Sequence, residues 1–309
     1  GIFLSPLAAI KGEPPWIYTR GIALALEHLQ MSFDSLLPLV KQAAGYLDAH
    51  TVQGKETLDR VLADAVRERL PSEKRTLWDS PSMYGAPDRQ TVGGAAVSFL
   101  LRPCSFSGLV VFGCRRGGSP TFASFRSWLG RAPETPPDAD RLLVRKFLHC
   151  HGPSTPALLA EWLGCSPAQA RRLWNSVAQE LEPVSVEGKA RWFLSADRDA
   201  LAHPCGPQER LLLLGPHDPY LDTRDRDVLL PDKALQKLVW RTVGNPGAVV
   251  LDGRISGVWT ARTVRDRLEL SVTAWQAFSA RQQSMLEIRA QEYAAFRGLS
   301  LLKYTLEDG

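Results

Sequence analysis

Cysteine is scarce in this chain. Five occur in 309 residues, at 104, 114, 150, 165 and 205, with no CxxC pair and no regular spacing. That gives no support to a thiolate zinc site or a dithiol redox motif, and the odd count suits a reducing cytoplasm better than a disulfide framework. Long apolar runs are missing too. No stretch reaches the roughly 18 consecutive apolar residues of a membrane-spanning helix, so no membrane segment is expected. The opening residues, "GIFLSPLAAIKGEPPW", lack both the basic leading region and the cleavage pattern of a signal peptide. They also lack an initiator Met and begin inside an apolar stretch, which points to a segment missing upstream. Finally, there is no Gly-rich phosphate loop, HExxH, GxSxG or dinucleotide fingerprint. Phosphoryl transfer, zinc hydrolysis and hydride transfer therefore find no support, and no cofactor is expected.

The composition is that of a protein with a buried core, 44% hydrophobic and 23% charged, and long enough for two to three domains. The net charge of +4 permits a polyanionic partner where arginines cluster, without demanding one.

Helical periodicity runs through residues 36–48 and 54–71, the second stretch stopped by Pro71. A polar loop is expected over 71–90. A third helix is expected over 91–105, its two glycines carried by close packing. "GLVVFGCRRGGSPTFASF" (108–125) then reads as a hairpin of two apolar strands around a Gly-Gly tip. Three helices followed by a hairpin is the order of a winged helix.

After a Pro-rich linker (131–140) the order recurs. A helix over 141–151 ends at Gly152, and Ser154 or Thr155 caps the next, with Pro156 in its first turn and Gly164 at its end. Only Gly164-Cys165-Ser166 separates it from a third helix, a helix-turn-helix spacing. Ser166 and Gln169 form a capping-box pattern. Ala170, Leu173, Trp174, Val177 and Leu181 share one stripe of this helix. Arg172, Asn175 and Gln179 lie opposite, flanked by Arg171 and Ser176, where they can donate to phosphates and base edges. A hairpin over 184–194 follows, with Gly188, Lys189 and Arg191 at or near its tip. The remaining residues alternate strand and helix: strand 209–215, helix 231–244, a hairpin over 247–262 turning at Asp252-Gly253, strand 267–275, helix 279–298 and strand 299–306.

Three other clusters carry potential chemistry. His149-Cys150-His151 are adjacent on a helix, where side chains diverge by about 100° and cannot close on one ion, so a helix end is the better reading and no metal is expected. "HDPYLDTRDRD" (217–227) gathers His217, Asp218, Asp222, Asp225 and Asp227 with Arg224 and Arg226. Either a carboxylate there stabilises an oxocarbenium-like centre, or the loop neutralises itself by Asp–Arg pairing, and the second reading is preferred. The tryptophans, among them Trp128, Trp162, Trp174, Trp192, Trp240 and Trp259, are expected mostly in the core rather than as stacking platforms.

"GLVVFGCRRGGSPTFASFRSWLG" (108–130), the helix-turn-helix unit at 141–197 and "LLPDKALQKLVWRTVGNPGAVVLDGRISGVWTAR" (229–262) together resemble the AlkZ/YcaQ-like winged-helix family of bacterial DNA glycosylases. The resemblance covers most of residues 36–298 in the family's order. It implies a C-shaped cytoplasmic protein with tandem winged helices and a β-rich C-terminal domain, acting on the N-glycosidic bond of bulky or crosslinked alkylated purines. The family's catalytic signature is a Gln-apolar-Gln or Gln-apolar-Asp triplet, followed by an Arg-Gly-Thr-like segment. It belongs upstream of residue 36, and neither part appears in that place. The nearest triplet is His28-Leu29-Gln30, whose two polar side chains could hold a water; the alternative is the exposed end of a helix ahead of a Ser32 cap.

The sequence thus predicts an α+β protein with tandem winged-helix (helix-turn-helix) domains followed by a β-rich C-terminal domain. The expected divisions are a winged-helix remnant over 1–35, winged helices over 36–130 and 138–200, and a C-terminal domain over 207–309. Expected DNA contacts are Arg115, Arg116, Gln169, Arg171, Arg172, Asn175, Lys189 and Arg191. The partner is expected to be double-stranded DNA, bound by a monomer. A DNA-binding protein of the same build without chemistry, regulatory or architectural, is the alternative.

Overall fold

The computed structural model describes residues 20–84, 90–134, 136–203, 210–221 and 225–309, which fall into two compact units, Gly1–Arg198 and Asp199–Gly309. In the first unit, α1 (Arg20–Leu29), α2 (Phe33–Ala44) and α3 (Lys55–Arg67) bury Leu29, Leu36, Val40, Leu58 and Leu62 in one core. Ser32 caps α2, its hydroxyl accepting from the Ser35 amide, and Gly54 supplies the left-handed backbone before α3. Residues 45–48 continue α2 as a 3-10 turn.

The stretch expected as a polar loop after Pro71 instead contains a helix, α4 (Ser72–Asp79). Six of its eight residues are polar, and its buried anchor is Trp78, which is 1% exposed and donates through Nε1 to the Ala63 carbonyl at 3.2 Å. A single buried tryptophan supplies enough apolar area to hold a short helix that has no periodic stripe. α5 (Val92–Phe106) lies over it, capped by Thr91, and a Cβ at Gly93 would stand 2.1 Å from the Trp78 ring. Close packing thus carries Gly93, as expected, while Gly94 has room for a Cβ, its nearest neighbour Thr91 Oγ1 at 3.4 Å. The hairpin after α5 is shorter than its apolar runs suggest: β1 (Val52–Gln53), β2 (Val111–Phe112) and β3 (Thr121–Ala123) form a sheet in the order β1-β3-β2. A short α6 (Phe125–Leu129) closes this group with a Ser124/Ser127 capping box.

α7 (Ala139–His151), α8 (Pro156–Leu163) and α9 (Pro167–Asn175) follow as predicted, with Thr155 and Ser166 as N-caps and Gly164 left-handed between α8 and α9. Leu143, Phe147, Leu159, Leu173, Trp174 and Leu194 make their core. β4 (Leu181–Val186) and β5 (Lys189–Leu194) pair antiparallel through Glu187-Gly188, both at positive φ, the geometry of a two-residue primed turn. Then comes α10 (Arg198–Ala202).

The second unit is one five-stranded sheet in the order β10-β9-β8-β7-β6, made of β6 (Leu211–Leu214), β7 (Gly247–Leu251), β8 (Arg254–Val264), β9 (Arg267–Ala274) and β10 (Ser300–Asp308). Helices α11 (Arg226–Leu229) and α12 (Lys233–Val239) interrupt it early, and α13 (Ala280–Phe296) late. Neighbouring strands run antiparallel except β9 and β10, which are parallel. A parallel pair needs a crossover, and α13 provides it, laying Leu286 and Ala290 on the core with Trp259 and Val272. The β7–β8 turn falls at Asp252-Gly253 as predicted. A second tight turn at Arg265-Asp266, with Arg265 at φ 58°, joins β8 to β9 and was not anticipated.

Candidate nucleic-acid interface

α9 is built to present one face. Pro167 pre-sets its first turn, Ser166 accepts from the Gln169 amide at 3.1 Å, and Ala170, Leu173 and Trp174 are buried. Arg171 and Asn175, one helical turn apart, are exposed side by side. Lys189, in the first position of β5, is exposed as well.

Three other expected contacts are less exposed. Gln169 is 5% exposed, turned inward at the first turn of α9. Arg191 is 8% exposed, although two-residue alternation puts it on the same face of β5 as the exposed Lys189. Arg172 is half-buried and donates through Nη1 to Asp140 Oδ2 of α7 at 2.6 Å. It ties α9 to α7 rather than reaching outward.

Arg115 and Arg116 are exposed at the first hairpin. Arg116 and Ser119 close the tip by mutual backbone hydrogen bonds, and Gly117 and Gly118 take positive φ between them. Gln53 braces the base, donating through Nε2 to the Arg116 carbonyl at 3.0 Å. The two guanidinium groups are thus carried on a turn whose backbone is held, a geometry suited to phosphate contact.

His28 and Gln30 stand at the C-terminal end of α1. His28 Nε2 and Ser80 Oγ are 2.9 Å apart. Gln30 has φ 49° and takes Lys74 Nζ on its carbonyl at 3.2 Å, while the same ammonium bonds the Leu29 carbonyl at 2.9 Å. These are the bonds that close a helix end.

Among the described residues of the first unit, two concavities carry carboxylates in their lining. One, of about 530 Å³, is lined by Leu142, Leu194 and Ala196 with Arg145, Lys146, His149, Glu180 and Asp197 around them. Glu180 accepts from Arg145 at 2.7 Å and Arg141 at 2.9 Å, and these guanidinium groups hold its carboxyl down at about 2. His149 Nδ1 meets Asp197 Oδ1 at 2.9 Å, while His151 lies against Phe147 and Trp162, so the His-Cys-His run diverges. The other, of about 630 Å³, is edged by Glu56, Asp59 and Asp64 on α3. Burial pushes the Asp59 carboxyl up, against the pull of Lys55 at 2.7 Å.

Sequence reasoning missed some exposed groups. Trp128 is 47% exposed, unlike Trp174 and Trp259, which are core. In the second unit the overlooked β8–β9 turn carries Arg262, Arg265 and Arg267, all exposed, with Arg262 bonded to Glu269 at 2.7 Å. The signal was present as "ARTVRDRLEL", a basic turn between two alternating runs. Of the 217–227 cluster, Asp222 and Arg224 lie outside the described residues. Asp227 pairs with Lys233 and accepts from Gln236 at 2.8 Å, and Arg226 lies 4.8 Å from the centre of the Trp240 ring. Asp218 accepts the Tyr220 amide at 2.9 Å. Asp218, Arg226 and Asp227 are thus engaged within their own unit.

Comparison with known proteins places these features. A search of curated proteins finds no match. Among solved structures, the chain is similar to the DNA glycosylase AlkZ of Streptomyces sahachiroi, at 25% identity and a TM-score of 0.64, over 91% of this chain and 71% of that one. The family model described as DNA glycosylase AlkZ-like matches residues 35–296. The chain belongs to the AlkZ-like DNA glycosylase family.

Proposed function

We propose that this protein grips double-stranded DNA as a cytoplasmic monomer through two winged helices, residues 36–130 and 138–200, and serves in the excision of bulky alkylated purines. On this reading residues 207–309 form the C-terminal domain. The observation that carries it is the outward face of α9. In a member of a DNA glycosylase family, Arg171 and Asn175 stand exposed on the third helix of a helix-turn-helix unit, and Lys189 stands at the following hairpin. Arg115 and Arg116 supply a second pair of phosphate donors in the same unit.

The chemistry asked of the protein is modest. A purine alkylated on a ring nitrogen is cationic and already a good leaving group, so a polar side chain that orients water against the anomeric carbon suffices. His28 and Gln30 are the residues in this chain nearest to the family's catalytic triplet in kind. Their bonds to Ser80 and Lys74 favour a helix-closing role instead.

The test is release of free base from a duplex carrying an N7-alkylated guanine. Release above the spontaneous rate is expected from the protein, and loss of release in His28→Ala or Gln30→Ala would move the chemistry onto α1. Tight, salt-dependent binding without release would instead support the non-catalytic alternative, a regulatory or architectural protein.

A further inference from the structure

The first hairpin carries an aromatic side chain that the fold leaves in solvent. Phe112 is 71% exposed on β2, an edge strand of its sheet. Its cross-strand neighbour Phe122 is 6% exposed, and the two ring centroids lie 5.2 Å apart. Phe122 therefore backs one side of the Phe112 ring and leaves the rest open. A ring supported in this way has little rotamer freedom to lose on meeting a ligand.

Its surroundings select the ligand. Residues 89–133 contain six arginines and no Asp or Glu. Arg115 and Arg116, both exposed, follow Phe112 by three and four residues, a span of at most about 13 Å along extended backbone. That span covers about three to four base steps of one DNA strand at the usual rise. A lone exposed phenylalanine is ordinary on a protein surface. One that is braced from behind, set in an acid-free segment and followed by two phosphate donors on a held turn matches the combination of stacking ring and cationic track by which proteins take hold of unpaired bases.

We propose that Phe112 stacks on a nucleobase left unstacked at a damaged site, while Arg115 and Arg116 hold the flanking phosphates. The inference rests on the DNA-gripping role proposed above for this hairpin. Intact duplex hides its base faces, so the ring adds affinity only where a base has lost a neighbour, and it gives the first hairpin a preference for distorted over regular DNA.

The test uses the whole protein and two duplexes, one intact and one with a tetrahydrofuran abasic analogue beside 2-aminopurine, whose emission falls when it stacks. Wild-type protein is expected to quench the 2-aminopurine and to bind the tetrahydrofuran duplex more tightly than the intact one. Phe112→Ala is expected to lose the quenching and about tenfold in affinity for the tetrahydrofuran duplex, with less than a twofold change on intact DNA. Phe112→Trp is expected to retain both, and Phe112→Leu to behave like the alanine variant. Because the ring is mostly in solvent, thermal unfolding should be unchanged. Quenching and preference that survive in Phe112→Ala, while Arg115→Ala/Arg116→Ala binds weakly, would overturn the stacking role and leave the hairpin on DNA. Affinity unchanged in both variants would remove the hairpin from the interface and overturn both readings.

Discussion

Two arginines that stand side by side in sequence have opposite fates here. Arg171 faces solvent from α9, and replacing it by alanine is expected to weaken DNA binding across sequences and lower the salt slope by about one unit. Arg172 is bonded to Asp140 of α7. Its alanine variant should leave the salt slope alone and cost stability within about 1 kcal/mol, because the pair is only half-buried. Helical spacing sorted the two faces of α9 but could not separate these neighbours, since the carboxylate that captures Arg172 lies 32 residues away on another helix. The same limit applied to Arg191, which is buried although strand alternation puts it on the face of the exposed Lys189. Glu180 gives a residue-scale prediction in pH. Its carboxyl is held at about 2, below the ordinary 4.5, by Arg145 and Arg141. Its contribution to stability is therefore complete above about pH 4.5 and is lost as pH falls toward 2. Melting temperature should drop more steeply across that window in the wild type than in Glu180→Gln.

For whole elements, local chemistry and packing can be told apart at adjacent glycines of α5. A Cβ at Gly93 meets the Trp78 ring at 2.1 Å, whereas one at Gly94 meets only Thr91 Oγ1 at 3.4 Å and Gln90 Cγ at 3.5 Å. Gly93→Ala should destabilise by about 1–3 kcal/mol through overpacking, and Gly94→Ala should be neutral or stabilising by up to about 1 kcal/mol through helix propensity. Chemical denaturation of the two variants checks the contrast. Caps and primed turns were readable because they are local: Ser32, Thr155, Ser166, Glu187-Gly188 and Asp252-Gly253 each announce a boundary within four residues. α4 was not readable. One tryptophan anchors it against a helix that follows in the chain, and "SEKRTLWD" has no apolar stripe to mark it.

For the molecule as a whole, the order of elements carried the family resemblance, and the family match over residues 35–296 bears it out. The α+β class was readable from alternating strands and helices. The parallel β9–β10 pair was not, because strand direction depends on the crossover made by α13. Candidate contacts were readable as residue types and only partly as positions: Arg115, Arg116, Arg171, Asn175 and Lys189 are exposed, while Gln169 and Arg191 are buried and Arg172 is engaged. What this leaves is a grip made by a few outward cations on two hairpins and one helix. The most direct test is the salt dependence of affinity for a plain duplex, in the wild type and in a variant with Arg115, Arg116, Arg171 and Lys189 all changed to alanine, its melting temperature shown to be unaltered. Each phosphate contact adds about −0.9 to the slope of log affinity against log salt, so the variant should be shallower by about three to four units. An unchanged slope would contradict the account.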